Sequence, residues 1–437
     1  MANTLFIASI AVIWVMLLYN MILTRGGYSH YRRYRQPIAG WKKSSRPLPK
    51  VSIMIPAHNE ELVLERTLQA MVRQDYPRHK LEIIVINDNS SDRTGAIADA
   101  FATRYPFVKV VHLAERNAGR GKPGALNRGL PHATGDAVVV YDADNTPERR
   151  AVYYLALALV NSPGVGAVVG KFRVINAREN FLTRFINVET ICFQWMAQAG
   201  RHRLFGITTI PGTNFIIWRS LLDELGGWQE QALAEDTELS IRVYNAGYRI
   251  IFFPAAVTWE QEPETWPVWW RQRVRWARGN LNVVVKYLFR IPWLANKRIA
   301  LDIIHLFAMY LLFFLSVTTS NVLFVGNLLF DWNLGVGEVA TVLWVMAYAL
   351  FISQAMLALS LEGAELNRDN FFIVLLMYFT YCQLWVPVVI YAMLAEIKRF
   401  FLRGEAAWYK TQRFTRRGRL RTHGPGVDGV PMRRPGA

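Results

Sequence analysis

The chain has long apolar runs near its two ends and short apolar segments between them. Residues 5–23 (LFIASIAVIWVMLLYNMIL) contain no charged side chain, and roughly 20 apolar residues are enough to cross a bilayer. Three more apolar runs follow, at about 301–330, 338–361 and 371–395. No basic segment precedes the first run and no small-residue cleavage site follows it, so the pattern favours a membrane anchor over a signal peptide.

The pattern changes between residues 50 and 265, where short apolar segments alternate with polar loops and helical spacings. The segments KVSIMIPA (50–57), LEIIVI (81–86) and DAVVVY (136–141) predict buried strands. Residues 179–205 carry aromatic side chains at helical spacing and predict an interface helix on the membrane surface. Strands alternating with helices are typical of a single α/β domain, which we expect to lie between the membrane segments.

The distribution of charge along the chain predicts its orientation in the membrane. The net charge is +17, and almost all of it comes from two segments. Residues 24–50 carry eight Lys or Arg and no acidic residue, and residues 395–437 carry eleven against three. Positive charge beside membrane segments marks the cytoplasmic side. We therefore predict a multi-pass protein of the cell membrane with a cytosolic α/β domain, and the basic charge does not indicate nucleic acid as a partner.

The number of C-terminal crossings stays open. Three crossings would place the basic tail outside the cell, whereas two or four would keep it in the cytosol, as its charge requires. The tail from Thr415 onward is rich in Arg, Gly and Pro and is predicted to be disordered. Cys192 and Cys382 are the only cysteines, which agrees with a reducing compartment.

Polar residues follow two of the predicted strands. Asp88 comes directly after the second strand, at the edge where open α/β sheets bind ligands. Ligand binding and turn formation remain equally good explanations for it, whereas Ser91 and Asp92 are better explained as turn and cap residues. Asp142 and Asp144 follow the strand at 136–141 with one small residue between them. Two such carboxylates suit a hard divalent cation, and a polar turn is the alternative.

Three further stretches carry candidate chemistry. NAGRGKPGALNRGL (117–130) is a glycine-rich loop with Lys122 at the start of a helix; it suits an anion but lacks the Walker A pattern. Glu235 and Asp236 precede an amphipathic helix, either as capping residues or with a carboxylate acting as a catalytic base. VWWRQRVRWARGN (268–280) fits a membrane-surface helix or an anion site.

The order of these motifs resembles that of a known family. PAHNEE, INDNSSD, GKPGALN, YDADN, LAEDTE and QRVRW occur in this sequence between residues 50 and 280. The set is similar to the membrane-integrated family 2 glycosyltransferases, the processive synthases of cellulose, chitin, hyaluronan and poly-N-acetylglucosamine. The resemblance implies an α/β GT-A fold, a UDP-sugar donor, Mg²⁺ or Mn²⁺, and a growing polysaccharide as acceptor.

The resemblance also implies roles for single residues on the donor side. Ala57, Glu60 and Asp88 would hold the uridine, and Lys122 would lie near the nucleotide. The aspartates Asp142 and Asp144 match the family's D-x-D motif, with the second one contacting the metal on the diphosphate.

On the acceptor side, Asp236 matches the family's general base, with Glu235 beside it in the E-D motif. Gln272, Arg275 and Trp276 match Q-x-x-R-W, which contacts the diphosphate and the acceptor end. PGTNF (211–215), which includes Gly212 and Thr213, takes the place of the acceptor-cradle motif but differs from the cellulose synthase form. Ala234 replaces the threonine of cellulose synthases, which weakens a cellulose assignment. Trp269, Trp270, Arg271 and Arg278 would serve the headgroup layer.

The sequence thus predicts a polysaccharide synthase in a lipid bilayer, alone or with an accessory subunit or a second copy. A non-processive transferase acting on a lipid acceptor is the main alternative. The predicted division of the chain is an N-terminal transmembrane helix (1–24), a basic linker (25–49), the GT-A domain (50–262), the Q-x-x-R-W interface helix (263–298), the transmembrane channel region (299–395) and a basic cytosolic segment with a disordered tail (396–437).

Overall fold

A computed structural model describes residues 2–35, 46–114, 121–330 and 337–402. The strands are β1 (Val51–Ala57), β2 (Leu81–Asn87), β3 (Val108–His112), β4 (Ala137–Val140), β5 (Thr146–Pro147), β6 (Val165–Val174), β7 (Phe215–Trp218) and β8 (Arg249–Glu260). The helices are α1 (Ala2–Arg35), α2 (Leu64–Val72), α3 (Thr94–Arg104), α4 (Gly121–Gly129), α5 (Ala151–Val160), α6 (Phe181–Cys192), α7 (Arg201–Phe205), α8 (Arg219–Glu224), α9 (Glu235–Asn245), α10 (Trp266–Leu288), α11 (Lys297–Phe307), α12 (Phe314–Phe330), α13 (Gly337–Ser360), α14 (Arg368–Phe379) and α15 (Trp385–Leu402).

Within the described part of the chain, the strands form one sheet in the order β3-β2-β1-β4-β7-β6-β8-β5. Strands β1 to β4 pair in parallel, β7 is antiparallel to β4 and β6, and β8 is parallel to β6. Strand β1 shows why these segments read as continuous apolar runs. Ile53 and Ile55 face one core while Met54 faces the other, and all three are buried, because both faces of the sheet are covered.

The strand order reverses between β1 and β4. The chain adds β2 and β3 on one side of β1 and then returns through α4 to place β4 on the other side. Loops at the carboxyl ends of two strands that diverge in this way leave a crevice between them, which is where open α/β sheets bind ligands. The loops after β1 and β4 begin at His58 and Tyr141, so the PAHNEE and YDADN motifs meet at this crevice.

Apolar helices flank the α/β domain. In the described residues, three helical stretches are long and apolar enough to cross a membrane: Asn3–Tyr34, Lys297–Asn327 and Thr341–Ser360. Helices α14 and α15 pass the same test only as a pair, with a bend of 41° between them. The last predicted run, 371–395, is therefore broken near Thr380, and the number and direction of crossings remain predictions.

Two predicted boundaries differ from the structure. Helix α1 continues to Arg35, so the first part of the predicted linker 25–49 is helical. The predicted helix 179–205 is observed as α6 and α7 joined by a π-helical segment, Phe193–Gly200. Part of the glycine-rich loop (115–120), part of the linker (36–45) and the tail from 403 lie outside the described residues.

Candidate active site

The loops after β1 and β2 hold each other in a fixed arrangement at the crevice. The N–H of Asp88 donates to the carbonyl of Ala57 at 2.8 Å, and the N–H of Glu60 donates to Thr94 Oγ1 at 2.7 Å. Ala57, Glu60 and Asp88 are all buried. The three residues predicted to hold a uridine therefore lie together on two adjacent loops.

Asparagine and aspartate side chains shape these loops. Asn59 has φ +54, a left-handed conformation that asparagine tolerates better than most residues. Its Oδ1 accepts from the N–H of Ser91 at 2.8 Å, which ties the first loop to the second. Asp92 Oδ1 accepts from the N–H of Thr94 at 2.9 Å, so Asp92 makes the turn contact expected for it. The contribution of Asn59 was missed, although an asparagine after a strand is a signal for such a turn.

Lys122 lies at the centre of the crevice. Its Nζ donates to Asp142 Oδ1 and, at 2.9 Å, to the carbonyl of Gly212. Burial opposes the charge of Lys122, but Asp142, Glu235 and Asp236 raise its pKa above the usual value. The anion site predicted at this lysine stays a prediction, and the structure shows that the lysine joins three separate motifs.

The two aspartates after β4 differ in their surroundings. Asp142 keeps a third of its side chain exposed, whereas Asp144 is buried and its Oδ2 accepts from the N–H of Gln261 at 3.4 Å. No group of three or more His, Cys, Asp or Glu able to hold a metal occurs in the described ranges. Mg²⁺ needs only one or two carboxylates when substrate phosphates and water complete its shell, so this aspartate pair fits Mg²⁺ or Mn²⁺ bound together with a diphosphate.

The loop at 211–215 is held next to these aspartates. Thr213 Oγ1 donates to Asn145 Oδ1 at 2.7 Å and accepts from the N–H of Asp142 at 3.1 Å. Asn214 is buried with φ +50 and donates to the carbonyls of Lys171 and Ala256. Gly212 and Thr213 therefore lie in the same crevice as the D-x-D motif, and their role as an acceptor cradle stays a prediction. Asn145 was missed by sequence reasoning because it reads as an ordinary turn residue.

Glu235 and Asp236 open helix α9 next to Gly212. Asp236 Oδ1 accepts from the N–H of Thr237 at 2.7 Å, which leaves Oδ2 facing the Gly212 loop. Burial and then the charge of Asp236 raise the pKa of Glu235 to about 7. Burial also raises the pKa of Asp236, while Lys122 and Arg275 oppose that rise. Capping alone does not require two carboxylates with raised pKa values, which are more typical of catalytic groups.

Helix α10 carries the Q-x-x-R-W motif to the same crevice. The helix begins at Trp266 with Pro267 in its first turn, where proline is favoured. Arg275 is half-buried and lies close enough to Glu235 and Asp236 to lower the pKa of both. Gln272 is buried, and Trp276 keeps 39% of its surface exposed.

The predicted headgroup position of Trp269 on α10 is wrong. Trp269 was expected in the headgroup layer, but only 1% of its surface is exposed. Its indole N–H donates to the hydroxyl of Tyr381 at 2.9 Å. Arg278, expected in the same layer, donates to Glu396 Oε1 at 2.6 Å. Trp269 is buried because α15 and the turn before it cover this side of α10, and composition cannot distinguish a lipid neighbour from a protein one.

These features define a GT-A glycosyltransferase: a parallel half-sheet with a crevice at its carboxyl edge, an aspartate pair after β4 and a carboxylate pair at the start of α9. Residues 49–279, more than half of the chain, match the profile described as "Glycosyltransferase like family 2". The chain belongs to this family.

Its relatives differ in what they make. The chain is 58% identical over 414 residues to "Probable glycosyltransferase YdaM" of Bacillus subtilis, covering 95% of this chain and 99% of the relative. It is 34% identical over 265 residues to "Beta-monoglucosyldiacylglycerol synthase" of Synechocystis, covering 60% of this chain and 53% of that protein. It is 30% identical over 263 residues to "Poly-beta-1,6-N-acetyl-D-glucosamine synthase" of Staphylococcus epidermidis, covering 60% of this chain and 62% of that protein.

A solved structure confirms the GT-A fold. The mannosyltransferase PcManGT of Pyrobaculum calidifontis, in complex with GDP-Man and Mn²⁺, matches with a TM-score of 0.56 over 89% of this chain and 99% of that one. Its sequence identity is 23%, so the likeness concerns the fold.

Proposed function

We propose that the protein is an inverting glycosyltransferase that adds sugar from a UDP-sugar to a growing β-linked polysaccharide and passes the product across the membrane. UDP-glucose and UDP-N-acetylglucosamine are the leading donors. The observation that carries the proposal is the meeting of Asp236 with Gly212, Lys122 and Arg275 in one crevice. Such a transfer needs a base, a loop beside the acceptor, and positively charged side chains for the diphosphate, here Lys122 and Arg275.

In this mechanism Asp236 removes the proton from the acceptor hydroxyl, whose oxygen attacks the anomeric carbon of an α-linked sugar. The bond from that carbon to the diphosphate breaks, and a single displacement leaves a β linkage. Lys122 and Arg275 stabilise the negative charge that grows on the departing diphosphate. A Mg²⁺ or Mn²⁺ ion held by Asp144 and Asp142 would supply Lewis-acid stabilisation of the same charge.

The membrane helices favour a processive enzyme. The Q-x-x-R-W helix α10 leads into α11 and α12, and a cavity of about 780 Å³ lies among the apolar helices. Aromatic side chains contribute much of its wall: Trp14, Phe313, Phe324, Trp344, Phe351 and Trp385. Sugar rings slide along aromatic faces without fixed hydrogen bonds, so the cavity suits a moving polymer.

The same cavity supports a second candidate, transfer to a lipid acceptor. Asn321 donates to Gln383 at 3.1 Å, and Gln354 donates to the carbonyl of Leu17 at 3.3 Å. These amides of the cavity wall are thus engaged with the protein itself, which leaves apolar surface that would suit an acyl chain. The relative that makes beta-monoglucosyldiacylglycerol belongs to this functional class.

The purified full-length chain in lipid nanodiscs, supplied with each radiolabelled UDP-sugar and Mg²⁺ or Mn²⁺, tests both candidates. Label in a large, ethanol-insoluble product that a linkage-specific hydrolase degrades supports the polysaccharide synthase. Label that moves only into the organic phase supports the lipid acceptor and rejects the polymer. Asp236→Asn serves as the inactive control.

A further inference from the structure

Arg273, which the sequence motif does not include, is the most deeply buried charged residue of α10. Only 1% of its surface is exposed. A guanidinium removed from water is costly unless its charge and its N–H groups find partners. The partners of Arg273 therefore indicate what its burial is for.

Arg273 contacts two of the three residues of the Q-x-x-R-W motif. Its Nη1 donates to Gln272 Oε1 at 2.6 Å, and its guanidinium carbon lies 4.1 Å from the ring centre of Trp276. The first contact fixes the amide of Gln272, because an oxygen that accepts from Arg273 leaves the NH₂ group on the other side as a donor. The second contact holds the Trp276 ring by a cation–π interaction.

The opposite side of the Arg273 guanidinium is bound by a carboxylate from another helix. Nη2 donates to Glu189 Oε2 of α6 at 2.5 Å. The same carboxylate accepts from the Tyr381 hydroxyl at 2.7 Å and from the Trp385 indole N–H at 2.8 Å. Tyr381 lies in the turn between α14 and α15, and Trp385 is the first residue of α15. The Glu189 carboxylate therefore links α10, α6 and the bend between α14 and α15.

Attachment of α10 to α15 does not by itself explain this cluster. A separate ion pair, Arg278 with Glu396, already joins the same two helices at 2.6 Å. Arg278 is five residues along α10 from Arg273, and no hydrogen bond or cation–π contact of this pair with Gln272 or Trp276 occurs in the described residues. The Arg273–Glu189 pair contacts the Q-x-x-R-W motif and the Arg278–Glu396 pair does not, so the second pair serves as a control for the first.

We propose that Arg273 is a positioning residue: held by Glu189, it fixes the Gln272 amide and the Trp276 ring at the acceptor end of the crevice and couples them to the bend between α14 and α15. This inference rests on the proposed function, in which Gln272 and Trp276 contact the diphosphate and the acceptor. Its consequence is that Arg273 governs whether the donor sugar is delivered to the acceptor or lost to water.

The test compares Glu189→Gln with Glu396→Gln in the full-length protein in nanodiscs. Two rates are measured together, UDP release and transfer of labelled sugar to product. Loss of a fixed orientation at the reacting groups should lower the transfer per UDP released by roughly tenfold in Glu189→Gln. The KM for the donor should change little, and Glu396→Gln should keep the wild-type ratio. Arg273→Lys retains the charge but not the paired contacts, and it should fall between the two.

Tyr381→Phe provides a milder variant, since it removes one hydrogen bond to Glu189 and keeps the ring. It should lower the ratio to a smaller extent than Glu189→Gln, so the inference remains testable if Glu189→Gln does not fold. Equal ratios in the Tyr381 and Glu396 variants, or a loss of both rates in parallel, would overturn the positioning role.

The outcome is separable from that of the proposed function. If the wild-type protein labels a lipid and makes no polymer, the polysaccharide proposal fails. The same ratio is then measured with the glycolipid as the product. If the wild type makes polymer and the ratio is the same in every variant, the positioning role alone fails.

Discussion

Gly212 lies directly against the carboxylate of Asp236: a Cβ added to Gly212 would come within 3.1 Å of Asp236 Oδ2 and 3.5 Å of Lys122 Nζ. Gly212 also has φ +85, which residues with side chains rarely adopt. Gly212→Ala should therefore displace the proposed base and reduce kcat by about 100-fold, as misplacement of a reacting group does. The predicted loss of kcat is measured as the rate of UDP release at a saturating donor concentration.

Gly247→Ala is the matched control for that change. Gly247 has φ +86, but a Cβ there would meet nothing within 4 Å. Both variants carry a backbone strain of about 1–2 kcal/mol, whereas only Gly212→Ala crowds the crevice. A similar loss of kcat in the two variants would mean that strain, and not the proximity of Asp236, limits activity.

Asp236→Asn should reduce transfer by about 1,000-fold, within the range by which general bases contribute. Asparagine keeps the shape and the capping contact to Thr237 but cannot take a proton. Donor affinity, measured by calorimetry, should stay within a few-fold of the wild type. Asp223→Asn, a change at a half-exposed carboxylate that pairs with Arg219, is the control. Substantial transfer by Asp236→Asn would remove Asp236 from the role of base.

Donor affinity should depend on pH through Glu235. Burial, followed by the charge of Asp236, raises the pKa of Glu235 to about 7. As the pH rises through that value, Glu235 becomes negative beside Lys122 and repels the diphosphate, so affinity should fall. Calorimetry with a non-transferable UDP-sugar analogue, whose diphosphate does not ionise near neutral pH, measures this step.

Two substitutions test whether the fall in donor affinity with rising pH comes from the ionisation of Glu235. Glu235→Gln should remove it, because no group is left to ionise. Asp236→Asn should move it to lower pH, since one of the two causes that raise the pKa of Glu235 is lost. An unchanged step in Glu235→Gln would assign the titration to another group.

The donor half of the site could be predicted from sequence because local signals define it. Strands β1, β2 and β4 are continuous apolar runs, and parallel strands bring their carboxyl ends to one edge. Asp88 and Asp142 therefore lie at the same edge of the sheet, as expected from their positions. The GT-A fold was implied by the resemblance to family 2 glycosyltransferases, which the order of the motifs carries.

The contacts that join the motifs had no such signal. Lys122 binds Asp142 across 20 positions and Gly212 across 90, and Arg273 binds Glu189 across 84. Pairings of this kind depend on tertiary packing, which hydrophobic periodicity does not encode. The burial of Trp269 was missed for a related reason, since an indole on an amphipathic helix suits a lipid headgroup and a neighbouring helix equally well.

Activity should require a divalent cation and should depend on Asp144. A chelator should abolish transfer, and Mg²⁺ or Mn²⁺ should restore it. In Asp144→Asn the cation concentration for half-maximal activity should rise by at least about tenfold, as loss of a group that supports a metal commonly costs. Titration of each cation against the initial rate measures this. Asp75→Asn, on an exposed carboxylate, should leave the titration unchanged. Full activity in the chelator would contradict the assignment of Asp142 and Asp144.

Two arginines one helical turn apart on α10 should have separate effects. Arg275 lies near enough to Glu235 and Asp236 to lower both of their pKa values, and Arg275→Ala should reduce transfer by about 100-fold, as loss of one charge-stabilising group does. Arg278 pairs with the mostly buried Glu396 on α15. Arg278→Ala should cost about 3 kcal/mol or less of stability, because Glu396 keeps Arg399 as a partner, and should leave transfer nearly normal. Labelled-sugar incorporation and thermal unfolding of the nanodisc-embedded protein measure the two effects. Equal losses of transfer would mean that α10 acts as a unit, and that its side facing the crevice and its side facing α15 have no separate roles.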